Sequence, residues 1–194
     1  DREWRHRYRH MNETIYRRSP DPELVYEPVP GASVEMEYGA AGFDANGARE
    51  ERGIGRAHGQ RPRVVMIGDS LVWSEFVSVE QSLPRRVEQA LDGRVEVLDF
   101  GVTGYDTAQE ARWYEKAARP MRPDVVVVVW CMNDLQIMSG PYDRFATDAD
   151  RARKEAEEAL FDRVAPVRRE TLDGVLARRE EDAPSKLPAR ALGL

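Results

Sequence analysis

The architecture of this 194-residue chain follows from Val64-Val65-Met66-Ile67-Gly68-Asp69-Ser70, an apolar run that ends in a tight Gly-Asp-Ser turn. A short apolar run bounded by turn residues is typical of a buried β-strand. In open α/β sheets, the carboxyl ends of the strands form the edge at which ligands bind. Ser70 is therefore interpreted either as a nucleophile at that edge or as the N-cap of the following helix.

Two further strands are predicted downstream, and each also ends in a polar, turn-prone cluster. Residues 95–100 lead into Gly101-Val102-Thr103-Gly104-Tyr105-Asp106-Thr107, and residues 125–130 lead into Cys131-Met132-Asn133-Asp134. The later strand contains five consecutive valines. An uninterrupted apolar run of this kind predicts a strand that is buried on both faces.

Helical segments are predicted between these strands. Apolar residues recur at helical spacing after the first strand: Leu83, Val87, Ala90 and Leu91. Thr107 is predicted to cap a second helix over residues 108–118. This alternation of strand and helix predicts an α/β fold with three α/β/α layers and a mainly parallel sheet.

The three polar clusters fall on one edge of such a sheet, so Ser70, Gly104 and Asn133 are expected to converge. Acyl transfer needs a hydroxyl to attack the carbonyl and N–H donors to receive the developing oxyanion. Glycine at position 104 lets the backbone approach a substrate closely. The amide of Asn133 donates hydrogen bonds without carrying a charge.

These blocks, in this order and spacing, resemble the SGNH hydrolases, also called GDSL-like lipases and esterases. The resemblance covers roughly residues 63–134. It implies that Ser70 is the nucleophile, that the N–H groups of Ser70 and Gly104 form an oxyanion hole, and that Asn133 adds a side-chain donor. Cys131 stands where the family has glycine. Residues 43–49 also resemble a segment that precedes this domain in some bacterial members.

The family's fourth block, Asp-x-x-His near the C-terminus, is absent from this sequence. Its only histidines are His6, His10 and His58, all before the predicted nucleophile. Three explanations are open: a fragment whose base lies beyond Leu194, a naturally inactive relative, or His58 as a substitute base. The last is disfavoured, because His58 leads into the amino end of the first strand, about 20 Å from its carboxyl end.

The resemblance implies a serine esterase or O-acyl hydrolase that works through an acyl-enzyme. The alternatives are a carbohydrate O-acetyltransferase of the same fold and a catalytically inactive binding or scaffold module. The implied partner is a small-molecule or polysaccharide ester. A periplasmic or extracellular location is implied by the resemblance only.

Three segments are predicted: an N-terminal arm and extended lead-in (1–60), the α/β core (61–147), and a helical insertion or lid with a loose tail (148–194). The core is expected to be incomplete at its C-terminus. Residues 1–18 interleave arginines with aromatic residues, which favours a solvated arm over RNA contact or a juxtamembrane stretch. An amphipathic helix is predicted over 148–164, with Ala152, Ala156 and Ala159 among its inward-facing residues.

Composition and charge exclude several other classes of function. The net charge of -6 argues against general nucleic-acid binding. No apolar run has membrane-spanning length, although an anchor upstream is not excluded. No cofactor is expected, and no cluster of cysteine and histidine suggests a metal site. Asp69, Asp106 and Asp134 are predicted to act as turn and cap residues rather than as cation ligands.

Overall fold

The computed structural model describes residues 2–57, 59–131, 141–156 and 159. The chain divides into two compact units, residues 1–151 and 152–194. The helices and strands of the first unit are, in chain order, α1 (Arg2–Ile15), β1 (Tyr16–Arg18), β2 (Tyr26–Pro28), β3 (Ser33–Met36), β4 (Gly39–Gly42), β5 (Arg63–Gly68), α2 (Ser70–Trp73), α3 (Leu83–Ala90), β6 (Glu96–Asp99), α4 (Thr107–Trp113), β7 (Val125–Val129) and α5 (Pro141–Phe145).

A parallel sheet of strand order β6–β5–β7 forms the centre of the first unit. Val65 on β5 lies opposite Leu98 on β6 and Val126 on β7. Val65 on the middle strand is fully buried, and so is Leu98 on β6, the strand against which helix α3 packs. The predicted α/β class and the parallel arrangement of the three strands are confirmed.

The five-valine strand β7 is more exposed than the sequence predicts. Val125 to Val128 have relative exposures between 37% and 57%. Within the described part of the chain, β7 pairs with β5 alone, and helices α3 and α4 pack against β6 and β5. The expectation that β7 is buried on both faces is therefore wrong for these residues.

The N-terminal segment is folded against the core rather than being a solvated arm. Residues 2–15 form helix α1, and its Met11 and Ile15 have no exposed surface. Two antiparallel hairpins follow, β1 with β2 and β3 with β4. The sequence of α1 is rich in arginine, and only two of its apolar residues anchor the helix to the core. Its pattern is therefore typical of a solvated segment, although the helix is packed.

Three buried tyrosines join the first hairpin to the sheet. The rings of Tyr16 and Tyr26 meet edge to face at 5.6 Å, and those of Tyr26 and Tyr105 lie 5.1 Å apart. All three residues are at most 2% exposed. Burial raises the pKa of each phenol well above its usual value.

The predicted helices are present with different boundaries. The segment 108–118 begins one residue earlier, at Thr107, and its second half, Tyr114–Ala118, is a π-helical turn. Asp106 caps α4 in a capping box with Gln109, so the assignment of the cap to Thr107 is wrong.

Residues 148–156 are helical, and the remainder of the predicted 148–164 helix is described only at 159. The exposed alanines there, Ala152, Ala156 and Ala159, contradict the inward-facing pattern that the sequence predicts. Among the described residues, the structure contains no helix long and apolar enough to span a bilayer.

Candidate active site

Ser70 lies where the sequence places it, at the carboxyl end of β5 and in the first turn of α2. The N-cap of that helix is Asp69, whose Oδ1 accepts a hydrogen bond from the Leu71 amide at 2.9 Å. Ser70 Oγ donates to Asp69 Oδ2 at 3.3 Å, and its side chain remains partly exposed. The N-cap interpretation of Ser70 is therefore wrong, and the hydroxyl is not used to satisfy the helix terminus.

The loop after β6 adjoins this turn directly. The Val102 amide donates to the Gly68 carbonyl at 3.0 Å, next to the Gly-Asp-Ser turn. Gly101 packs against the backbone of α2, so a Cβ at this position would lie 2.2 Å from the Trp73 nitrogen. The absence of a side chain at 101 is what allows the two loops to touch.

Gly104 lies on this same loop, with φ of +78°, a conformation that favours glycine. A Cβ at this position would come within 3.1 Å of Tyr26 Oη. The Tyr26 hydroxyl donates to the Thr103 carbonyl at 2.6 Å, and the Tyr105 hydroxyl donates to the Tyr26 carbonyl at 2.7 Å. The hairpin and the loop thus fix each other on both sides of Gly104.

The third loop begins at the same edge. Cys131, two residues after the end of β7, places its Sγ 3.7 Å from Asp69 Oδ2, to which the thiol donates. Asp69 therefore links the ends of two neighbouring strands. Asn133, the third predicted site residue, lies outside the described residues, as do His58 and Asp134. The other two histidines, His6 and His10, are exposed on α1.

Glu75 is a carboxylate near the site that sequence analysis missed. Its Oε1 accepts hydrogen bonds from Tyr8 Oη at 2.6 Å and from Thr103 Oγ1 at 3.2 Å. Its backbone amide donates to the Ser70 carbonyl at 3.2 Å. Burial raises the pKa of Glu75. Glu75 thus connects α1 to the turn that carries Ser70 and to the loop that carries Gly104. No local sequence pattern indicates this role.

Arg49 is a second residue that the sequence does not identify. Its guanidinium donates to the carbonyls of Trp73, the last residue of α2, and of Ser74 and Val77 in the loop that follows. It lies 4.6 Å from the Trp73 ring centroid. Burial lowers the pKa of Arg49. The only signal available was its place at the end of the lead-in segment 43–49.

Asp99 ends β6 beneath the same loops. Its Oδ1 accepts from the Gly101 amide at 2.9 Å, and its carbonyl accepts from the Arg49 amide at 2.9 Å. Burial raises the pKa of the Asp99 carboxyl to about 8, although the Gly101 hydrogen bond and the charge of Arg49 act in the opposite direction.

The carboxylates at this edge have structural partners. Asp69 caps α2 and Asp106 caps α4, as predicted for turn and cap residues. Among the described residues, no group of three or more histidine, cysteine, aspartate and glutamate side chains could hold a metal ion. The arrangement offers a hydroxyl, a close backbone approach and a buried carboxylate.

Comparison with known proteins gives a partial structural likeness. No family model matches the chain, and no curated protein matches it. The chain is similar to the crystal structure of AlinE4, an SGNH-hydrolase family esterase, with 21% identity and a TM-score of 0.36. The match covers 55% of this chain and 56% of AlinE4, so this chain spans about half the length of that structure.

Two substituted forms of the AlinE4 esterase match this chain to a similar extent. They match at 20% and 19% identity, each with a TM-score of 0.36, over 58% of this chain and 57% of theirs.

Proposed function

We propose that this chain carries the nucleophile end of a serine ester hydrolase of the SGNH type. One observation carries the proposal: the loop bearing Gly104 is hydrogen-bonded to the turn bearing Ser70, through the Val102 amide and the Gly68 carbonyl. Asp69 supports it, because the carboxylate takes over the capping role and leaves the Ser70 hydroxyl available.

In the proposed reaction, Ser70 Oγ attacks the carbonyl carbon of an ester while a general base takes its proton. The amides of Ser70 and Gly104 and the side-chain amide of Asn133 donate to the oxyanion of the tetrahedral intermediate. Collapse of the intermediate expels the alcohol, which receives the proton, and leaves an acyl-enzyme on Ser70. Water then attacks the acyl group, returns a proton through the base and releases the acid.

The described part of the chain places no histidine base at Ser70, since His6 and His10 lie exposed on α1. Without one, the Ser70 hydroxyl stays neutral and is a poor nucleophile. We therefore expect the 194-residue chain to hydrolyse activated esters feebly. Loss of a base in serine hydrolases leaves only the rate that oxyanion stabilisation and binding supply.

A chemical-rescue experiment tests the proposal. Turnover of p-nitrophenyl acetate is measured for the natural sequence and for Ser70→Ala, with and without added imidazole as a soluble base. We expect imidazole to raise turnover of the natural sequence above that of Ser70→Ala at equal imidazole concentration. A fluorophosphonate that labels Ser70 under the same conditions would support the result, because that reagent needs the same activated hydroxyl.

The outcomes separate the hypotheses that the sequence leaves open. Strong Ser70-dependent turnover without imidazole would support the esterase and refute the missing base. No Ser70-dependent turnover or labelling under either condition would favour the inactive binding module. Transfer of the acetyl group to an added sugar, detected by mass spectrometry in preference to free acetate, would favour the acyltransferase. A polysaccharide ester is retained as one proposed substrate class.

A further inference from the structure

A groove between α1 and α5 lies apart from the serine turn. Its volume is about 610 Å³, and Trp4, Tyr8 and Asn12 line it in one row of α1. Arg5 and Arg9 line it in the next row, and Arg144 of α5 faces them. Small-molecule sites commonly have volumes of about 300–1,000 Å³, so the groove can hold a ligand of oligosaccharide size.

The charges that line the groove are not balanced. Glu13 is paired with Arg144 at 2.5 Å, and Asp143 is paired with Arg151 at 3.2 Å. Within the described residues, Arg5 and Arg9 have no ion pair, and their side chains are exposed. By contrast, Arg7 of the same helix is paired with Glu37 at 2.8 Å. Two guanidinium groups therefore remain to receive negative charge from a ligand.

The same groove has an aromatic wall. The rings of Trp4 and Tyr8 stack at 5.2 Å, and Phe76 supports both from the loop after α2, at 5.8 Å and 6.0 Å. Trp4 retains a relative exposure of 39%, so its indole is accessible to a ligand. Aromatic rings of this kind provide rigid apolar surface at low entropic cost.

Asn12 supplies a buried polar group in the floor of the groove. Its relative exposure is 6%, and its Oδ1 accepts no hydrogen bond from the residues that the structure describes. That oxygen has no accessible surface, so it lies behind the groove lining and is out of reach of a ligand. The groove therefore combines an apolar wall with two unpaired cations.

We propose that this groove binds an acidic oligosaccharide, a chain of sugar rings that carries carboxylates. The C–H faces of the rings contact Trp4, and the sugar carboxylates pair with Arg5 and Arg9. Hydroxyl donors also suit the carboxylates of Glu13 and Asp143, which would repel a densely charged polyanion such as a nucleic acid. The net charge of -6 acts against such a polyanion as well.

The groove is physically connected to the candidate active site. Tyr8 lines the groove and donates to Glu75, which also accepts from Thr103 on the loop that carries Gly104. A saccharide held there therefore contacts the helix that braces the proposed oxyanion loop. Binding itself requires no hydrolysis, so this proposal can be tested independently of the proposed function.

Calorimetric titration of the full chain tests the proposal. The probe is trigalacturonate, and the matched neutral ligand is galactotriose of the same linkage, which lacks the carboxylates. We expect trigalacturonate to bind about tenfold or more tightly than galactotriose, because charge-assisted hydrogen bonds contribute that much. Raising the salt concentration should weaken this preference, since exposed charges are screened.

Substitutions then locate the binding site. Arg5→Gln and Arg9→Gln should each weaken trigalacturonate binding several-fold, while Arg7→Gln, a matched change outside the groove lining, should leave it unchanged. Trp4→Ala should weaken binding of both sugars. Urea unfolding of each variant shows that it remains folded.

The proposal would be overturned by equal binding of the two sugars, by failure of the folded protein to bind either, or by trigalacturonate binding that Arg5→Gln and Arg9→Gln leave unchanged. Tighter binding of a thymidine oligonucleotide of equal charge would also overturn it, because the groove would then prefer a phosphate polyanion.

Discussion

The two ends of strand β5 each bury an arginine, and the two arginines are satisfied in different ways. At the amino end, Arg63 is 1% exposed, and its Nε donates to Glu96 at 2.6 Å. Its remaining N–H groups donate to carbonyls, that of Met121 at 2.6 Å among them. At the carboxyl end, Arg49 is 2% exposed and donates to three carbonyls, and no carboxylate of the described residues forms an ion pair with it.

Of these two arginines, Arg49 is the one with a buried nitrogen that has no hydrogen-bond partner among the described residues. Arg49 Nε and Asp99 Oδ2 are buried at the carboxyl end with no hydrogen bond from the described residues. Arg63 has no such atom among the unpartnered groups of the described chain. A buried polar atom left unpaired is costly and calls for a structural or functional reason. The amino end of the strand, where the arginine is fully satisfied, therefore acts as scaffold and differs from the end that carries Ser70.

Arg63→Met should have the largest effect of the substitutions considered. It leaves Glu96, whose side chain is 14% exposed, without its buried partner. Removing one member of a buried ion pair costs about 3–5 kcal/mol, so we expect a loss of that size in the free energy of unfolding, measured in urea. Arg119→Gln, which breaks an exposed pair with Glu115, is the control and should not change stability measurably.

A loss below about 1 kcal/mol for Arg63→Met would contradict the scaffold role of the amino end, since surface pairs contribute that little.

Arg49→Lys should destabilise the protein less than the change at Arg63. A lysine ammonium cannot reach all three carbonyls that the guanidinium fork serves, and unsatisfied carbonyls together cost about 2–3 kcal/mol. Because the freed stretch follows α2, we also expect imidazole-rescued turnover at Ser70 to fall. Urea unfolding and the ester assay measure the two effects separately. Unchanged turnover in a destabilised variant would confine Arg49 to the scaffold.

Asp99→Asn should change how stability depends on pH. The folded-state pKa of Asp99 is about 8, raised by burial, whereas the unfolded value is about 4. Between these values only the folded state keeps the proton, so the natural protein loses stability as pH rises from about 4 to about 8. The asparagine variant lacks this proton and should gain stability relative to the natural protein over that window.

Urea midpoints measured across the window provide the test, with the exposed Glu35→Gln as the control that follows the natural profile. Parallel profiles for Asp99→Asn and the natural protein would show that Asp99 is not buried as a neutral acid.

Asp69→Ala and Ser70→Ala should give the smallest effects and differ from each other. Asp69 caps α2, and loss of a cap costs about 0.5–2 kcal/mol. Ser70 makes one long hydrogen bond to that same carboxylate, so its loss should cost less than about 0.5 kcal/mol. Urea unfolding of both variants decides which residue has the structural role. Equal losses of stability in the two variants would show that Ser70 has a structural role as well.

The central sheet could be predicted from the sequence because its signals are local. Apolar runs and turn clusters specified β5, β6 and β7, and the intervening helices specified their parallel direction. The exposure of β7 could not be predicted, because five valines indicate a strand and not what covers it. The position of a strand within a sheet is a tertiary property.

The N-terminal region shows the limit of composition as a guide. Helix α1 buries only Met11 and Ile15 fully, so its arginines dominate the pattern although the helix is packed. The helix N-caps are also hard to assign from the sequence. Asp69 and Asp106 cap α2 and α4, but each is followed by a hydroxyl residue that could equally have capped the helix. Of the predicted site, the proximity of the Ser70 and Gly104 loops follows from parallel topology. Glu75 and Arg49 depend on distant contacts and were missed.

The three buried tyrosines that brace the Gly104 loop have an optical consequence. Their phenols resist ionisation while they are enclosed, because burial holds each pKa far above its ordinary value. In strongly alkaline solution, the ultraviolet absorbance of their phenolate forms should develop only as the enclosing structure opens. The ultraviolet absorbance change of Tyr26 and Tyr105 therefore reports, without a label, whether the backbone beside Ser70 is still folded.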